Sequence, residues 1–123
     1  MAIHNNLVLK RAADIQQCAG LALGQREALD GSGSVCMLGA LDRAVGRRRG
    51  CDRHPSARKL AAFLKRRTLG VEDEYNGTTI DEHSGATDII AAYSNMRVPV
   101  LAKSKGMKPG SYAAWIMRKA AEG

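Results

Sequence analysis

Aromatic side chains are scarce in this chain. They make up 4% of its 123 residues, as one tryptophan, one phenylalanine and three tyrosines. A core must therefore be built mainly from aliphatic residues and alanine, and alanine favours closely packed helices. Hydrophobic residues still make up 45% of the chain and charged residues 25%. This balance permits a packed core and excludes global disorder as the expected state.

Long apolar runs are also lacking. No run reaches the roughly 20 residues that a membrane-spanning helix needs, and the N-terminal stretch MAIHNNLVLKRAAD lacks the basic start and apolar segment of a secretory signal. The three cysteines, Cys18, Cys36 and Cys51, are odd in number and unclustered, which argues against a disulfide framework. We therefore predict a cytoplasmic protein with no membrane partner.

Acidic residues are nearly absent from two parts of the chain. Residues 42–67 hold ten basic and two acidic side chains, and residues 97–123 hold six basic and one acidic. Between them, residues 68–96 hold six acidic side chains and no basic ones, and the whole chain has a net charge of +7. A polyanion is the first partner to consider for such a protein. Alternatively, the oppositely charged blocks 42–67 and 68–96 attract each other, or the net charge only maintains solubility.

Apolar residues recur at helical spacing in four segments before residue 97. Asn5 or Asn6 could cap the first helix, and Pro55 suits the first turn of the third. The four segments and their inward-facing positions are 6–22 (Val8, Ala12, Ile15, Ala19), 34–46 (Val35, Leu38, Leu41, Val45), 55–69 (Leu60, Phe63, Leu64) and 84–96 (Ile89, Ile90, Tyr93, Met96).

The remaining segments complete an all-α prediction. Residues 71–85 are polar, and Asn76-Gly77 could turn a small hairpin near residues 72–82. Pro99 would break the fourth helix and begin a short fifth one, and Pro109 opens the last helix. We predict an all-α fold of five or six short helices, with a C-terminal three-helix unit. The predicted regions are 1–70, 71–85 and 86–123, which could also form one compact domain.

The stretch LAKSKGMKPGSYAAWI, residues 101–116, predicts two helices joined by a sharp turn. Ala102 supplies a small residue where the helices meet, Gly106 allows a turn with positive φ, and Met107 can fill the core below it. The side of the last helix that we expect to be buried carries Tyr112, Trp115, Ile116 and Lys119.

With Leu101 added, these positions make residues 98–121 resemble the helix-turn-helix family of DNA-binding proteins. The resemblance implies that one face of the last helix lies towards the major groove, although the alanines on that face are not typical of base readout. Groove-facing residues would be Ser111, Ala113, Ala114, Met117 and Arg118. Phosphate contacts would come from Lys103, Lys105, Lys108 and Lys119.

Two other stretches bear on binding and origin. Arg47, Arg48 and Arg49, next to a basic helix, could form a second phosphate-binding surface or a solvated loop. VCMLGALDRAV, residues 35–45, resembles a segment of a family of small uncharacterised proteins from actinobacteria and their phages. That likeness implies a bacterial or phage origin and no activity.

Residue types that could support chemistry are present without a recognisable pattern. Cys36, Cys51 and His54 could contribute to a zinc site, but only Cys51 and His54 form a close pair, and zinc sites usually contain two such pairs. Asp81, Glu82, His83 and Asp88 are close in sequence, without a nucleophile or a phosphate-binding loop. We therefore predict no enzyme activity, no catalytic residues, no metal and no cofactor.

The sequence thus predicts a cytoplasmic DNA-binding protein of a bacterial host cell, regulatory in role. Its partner would be double-stranded DNA, bound through the helix-turn-helix and the basic patches, and the chain could also pair as a homodimer. No small-molecule substrate is expected. The alternative is a phage-encoded protein-binding module that modulates a host protein, docking through the acidic 72–88 segment or the basic helix.

Overall fold

The computed structural model describes residues 2–22, 33–46, 54–68, 73–75, 78–80 and 84–122. These residues are mainly helical, which confirms the predicted all-α class with short helices. The elements in chain order are α1 (Ala2–Ala19), α2 (Met37–Val45), α3 (Pro55–Thr68), β1 (Asp73–Tyr75), β2 (Thr78–Ile80), α4 (Ala86–Ala92), a π-helical turn (Tyr93–Arg97), α5 (Val98–Ser104) and α6 (Pro109–Glu122).

The small hairpin lies where the Asn-Gly pair predicted it. β1 and β2 pair antiparallel, with Asp73 opposite Ile80 and Tyr75 opposite Thr78. The pairing confirms the predicted hairpin within residues 72–82.

The start of α1 differs from the prediction. The helix begins at Ala2, so Asn5 and Asn6 lie inside it and do not cap it. The Asn6 side chain instead accepts a hydrogen bond from the ammonium group of Lys59 on α3. The Asn6 amide oxygen therefore bonds a side chain on another helix, and not a backbone N–H at a helix start.

Helix ends and starts elsewhere follow the glycine and proline signals. Gly46 ends α2 with φ of 83°, and its N–H donates to the carbonyl oxygens of Asp42 and Arg43. Pro55 is the first residue of α3, and the N–H of Ser56 donates to Nδ1 of His54 at 3.1 Å. His54 therefore supplies the side-chain acceptor that a helix N-terminus requires.

Pro99 lies at the start of a short fifth helix, as predicted, but it does not break the backbone between the fourth helix and the fifth. The backbone stays helical from α4 into α5, because the turn between them is π-helical and the N–H of Val98 donates to the carbonyl oxygen of Tyr93, five residues earlier. Pro99 lies in the first turn of α5, where its missing N–H costs least. The buried Ser94 hydroxyl in this π-helical turn accepts a hydrogen bond from the N–H of Met37, the first residue of α2.

A buried side-chain amide links the end of α1 to the residues just before α2. Gln16 is fully buried, and its Nε2 donates to the carbonyl oxygens of Gly20 at 3.0 Å and Val35 at 2.7 Å. Leu21 and Val35 form a parallel bridge beside it. These bonds fix the backbone against which the start of α6 packs.

α6 packs chiefly against α1. The two helices are antiparallel, because Gly110 meets Gly20 whereas Arg118 reaches Asp14. A Cβ atom at Gly110 would lie 3.1 Å from the Gly20 Cα and 3.2 Å from the Gln16 carbonyl oxygen. Buried side chains from all six helices share one hydrophobic core, to which regions 1–70 and 86–123 both contribute.

Candidate nucleic-acid interface

The corner between α5 and α6 is held by backbone hydrogen bonds. Gly106 has φ of 65°, and its N–H donates to the carbonyl oxygen of Lys103 at 3.2 Å. The N–H of Met107 donates to the carbonyl oxygen of Ala102 at 2.9 Å. This pair of bonds is the Schellman arrangement, in which a left-handed residue closes a helix. The predicted roles of buried Ala102, of Gly106 and of Met107, which packs against the core, are confirmed.

The face of α6 that was expected to meet DNA is buried. Ala113, Ala114 and Met117 are each 0% exposed, so their assignment as groove-facing residues is wrong. The physical reason is the packing of α6 against α1, which small side chains allow at short range. Because these three residues lie in the core of the folded chain, no base edge can contact them there.

The other two predicted groove residues lie at the surface edge of α6. Ser111 is half-buried. Nη2 of Arg118 donates to Oδ1 of Asp14 at 2.9 Å, and the two side chains are 39% and 73% exposed. An exposed pair of this kind contributes at most about 1 kcal/mol. Arg118 can therefore exchange Asp14 for another anion at little cost.

Trp115 packs against the hydrophobic core but is only partly buried, so its predicted place on the buried side of α6 is confirmed in part. Lys119, also predicted on the buried side, is exposed. Nζ of Lys105 lies 4.8 Å from the Trp115 ring centroid, and Nζ of Lys119 lies 5.7 Å from it. Helical spacing places Trp115 and Lys119 together, and the turn at Gly106 brings Lys105 to the same ring.

Tyr112 supports the indole from the core side. The two ring centroids are 5.7 Å apart, with a tilt of 39° between the planes. Tyr112 is buried, and its hydroxyl lies 3.1 Å from the hydroxyl of Tyr93 in the π-helical turn. A hydrogen bond between buried hydroxyls fixes the orientation of Tyr112, so Trp115 rests on a well-ordered neighbour.

The lysines around the corner form an exposed cationic surface. Lys103, Lys105 and Lys108 are exposed, and no carboxylate in the described part of the chain pairs with them. Lys119 lies 3.7 Å from Glu122, and both of these side chains are largely in solvent. We call this set the corner surface, and its members are Lys103, Lys105, Lys108, Trp115 and Lys119.

Several predicted residues lie outside the described ranges. These are Arg47, Arg48 and Arg49 of the second basic patch, Cys51 of the zinc alternative, and Asp81, Glu82 and His83 of the acidic cluster. Cys36 is buried at the start of α2. Among the residues with described positions, no three His, Cys, Asp or Glu side chains are grouped so that they could hold a metal ion.

Two further findings concern the chain as a whole. Within the described residues, no helix is both long enough and apolar enough to cross a bilayer. Comparisons with protein families, with curated proteins and with solved structures find no match for this chain.

Proposed function

We propose that this chain binds DNA through the corner surface, with lysine–phosphate contacts as the main source of affinity. The observation that supports this most directly is the exposure of Lys103, Lys105 and Lys108 without carboxylate partners in the described residues. Phosphate contacts by lysine dominate the affinity of many DNA-binding proteins.

The rigid turn strengthens this proposal. The Schellman bonds at Gly106 and Met107 fix the backbone between the three lysines. Less conformational entropy is then lost when the lysines meet a phosphate backbone. Flexible lysines on a mobile loop would lack this advantage.

The proposed mode differs from the helix-turn-helix mode that the sequence suggested. With Ala113, Ala114 and Met117 in the core, base readout is limited to Ser111 and Arg118 at the edge of α6. Contacts with phosphates position a protein on DNA but carry no sequence information directly. We therefore propose weakly selective binding, in a regulatory or architectural role in a bacterial or phage setting.

Reversal of charge at the corner tests the proposal. Lys105→Glu combined with Lys108→Glu should weaken binding to a duplex at least about tenfold in a gel-shift assay, because two phosphate contacts become repulsions. Both side chains are exposed, so the helical circular-dichroism signal should not change.

A matched control makes the same change of charge elsewhere. Lys10→Glu with Arg11→Glu alters two exposed residues of α1, with Lys10 roughly 15 Å along the helix from the end that meets the corner. The control should retain most of the affinity. Equal losses in the two double variants would mean that net charge, and not the corner, determines binding.

A protein-binding module is the second candidate, and exposed apolar residues favour it. Val100 on α5 is 66% exposed and lies three residues before Lys103, and Leu7 on α1 is 60% exposed. An apolar residue beside a lysine suits an acidic, amphipathic protein partner. Tight capture of one host protein that survives high salt would favour this candidate, whereas loss of DNA retention at moderate salt would favour DNA binding.

A further inference from the structure

Trp115 has no role in contacts with phosphates, yet it lies beside two lysines of the corner surface, Lys105 and Lys119. Trp115 packs against the core yet stays partly exposed, with two ammonium groups within 5.7 Å of its ring centroid. An aromatic side chain in a cationic surface is the combination by which proteins bind single-stranded nucleic acids, where bases stack on the ring and cations follow the backbone.

On this basis, and resting on the proposed function, we infer that the corner surface binds single-stranded nucleic acid, with one base stacked on Trp115. Lys105 and Lys119 then contact the phosphates on either side of that base. Lys103 and Lys108 extend the cationic surface along the strand.

The relative strengths of the lysine–indole contact and of base stacking on the indole favour this arrangement. A lysine beside an exposed aromatic ring contributes about two- to fivefold to an equilibrium. Stacking of a base on an aromatic side chain contributes about five- to hundredfold. The exposed Lys105 and Lys119 side chains can move from the ring to adjacent phosphates, so an incoming base replaces a weak contact with a stronger one.

Burial of the inner face of α6 explains why a single strand is preferred to a duplex. Bases in a duplex are already stacked on one another, and they are read only by residues that enter a groove. Ala113, Ala114 and Met117 are in the core and cannot do so. A single strand offers unstacked bases to a ring at the surface.

The only tryptophan of the chain reports directly on this contact. We would titrate the full chain with an oligothymidylate of about 12 nucleotides, within the usual range of site sizes, with an abasic strand of equal length, and with a duplex. Trp115 fluorescence should be quenched most by the oligothymidylate. Its affinity should exceed that of the abasic strand by about five- to hundredfold.

Two variants separate stacking from packing. Trp115→Leu keeps an apolar side chain without an aromatic face, and Trp115→Phe keeps a smaller aromatic face. With a fluorescein-labelled strand, Trp115→Leu should lower affinity for oligothymidylate by about five- to hundredfold and leave that for the abasic strand within about twofold. Trp115→Phe should retain most of the binding, and thermal melts check that both variants fold.

The results separate the inference of base stacking from the proposed function on which it rests. If the wild-type chain binds the abasic strand and oligothymidylate equally, stacking is disproved while phosphate-led binding stands. If the duplex binds more tightly than the oligothymidylate, the inferred preference for a single strand is disproved. If none of the three nucleic acids binds at low salt, the proposed function fails as well. The comparison of ligands uses only the wild-type chain, so it remains decisive even if a variant fails to fold.

Discussion

Gly110 is the residue at which α6 comes closest to α1. A methyl group there would meet the backbone of Gly20 and Gln16 at 3.1 and 3.2 Å, which is closer than ordinary van der Waals contact. The opposing atoms belong to the backbone beside the buried Gln16 amide, which is itself bonded to Gly20 and Val35. They therefore cannot move aside as a flexible side chain could.

We expect Gly110→Ala to lower the free energy of unfolding by about 1–3 kcal/mol, the usual cost of overpacking. Better helix propensity of alanine offsets at most about 1 kcal/mol of this. Chemical denaturation measures the difference. Ser111→Ala, in the same turn but half-exposed, should change stability by less than about 0.5 kcal/mol. A Gly110→Ala protein as stable as the wild type would show that the helices are further apart than described.

Residue types alone did not identify the buried side of α6. Tyr112 and Ile116 were correctly expected to be buried, but Trp115 was expected beside them and Ala113 and Ala114 were expected in solvent. Alanine is compatible with both environments, and the partner that covers it is α1, about a hundred residues earlier in the chain. Helical periodicity defines a face but not which distant element lies against it.

At the scale of elements, the π-helical turn links the C-terminal half of the fold to α2. Ser94 is fully buried in that turn, and its hydroxyl accepts the N–H of Met37 at 3.2 Å. The first N–H groups of a helix have no partner within the helix. The Ser94 hydroxyl thus provides the acceptor for the buried N–H of Met37, because the Cys36 side chain at the N-cap position makes no capping hydrogen bond.

Ser94→Ala should therefore destabilise the protein by about 1–3 kcal/mol, since it leaves a buried N–H without an acceptor. The melting temperature should fall by several degrees. Ser104→Ala, an exposed serine on α5, is the matched control and should leave it nearly unchanged. Indistinguishable melting curves for the two variants would show that Met37 does not depend on Ser94.

Element boundaries followed local signals where such signals exist. Gly46, Pro55 and Gly106 each end or begin a helix as predicted. The π-helical turn was not predicted, because proline normally breaks a helix and nothing local shows that Tyr93 will accept from Val98 instead. The corner itself was predictable, but the meeting of Trp115 with Lys105 required the geometry of the turn.

At the scale of the whole molecule, two basic regions are candidates for the proposed binding of DNA. The corner surface carries four lysines, and α3 exposes Arg58 and Arg66. Affinity for B-DNA falls by about 0.9 logarithmic units per contacted phosphate for each tenfold rise in salt. The slope of log affinity against log salt concentration therefore measures the number of contacted phosphates. Reversal of charges away from the binding surface weakens the long-range attraction to DNA, and so the affinity, but it removes no phosphate contact.

Salt titration of two charge-reversal variants should distinguish the regions. For Lys105→Glu with Lys108→Glu, we expect the slope of log affinity against log salt concentration to become shallower by about two units, one for each lost contact. For Arg58→Glu with Arg66→Glu, which changes net charge equally, we expect the wild-type slope with a modest uniform loss of affinity. The reverse pattern would place the DNA on α3 and exclude the corner as its binding surface. A shallower slope in both variants would mean that the duplex contacts both basic regions.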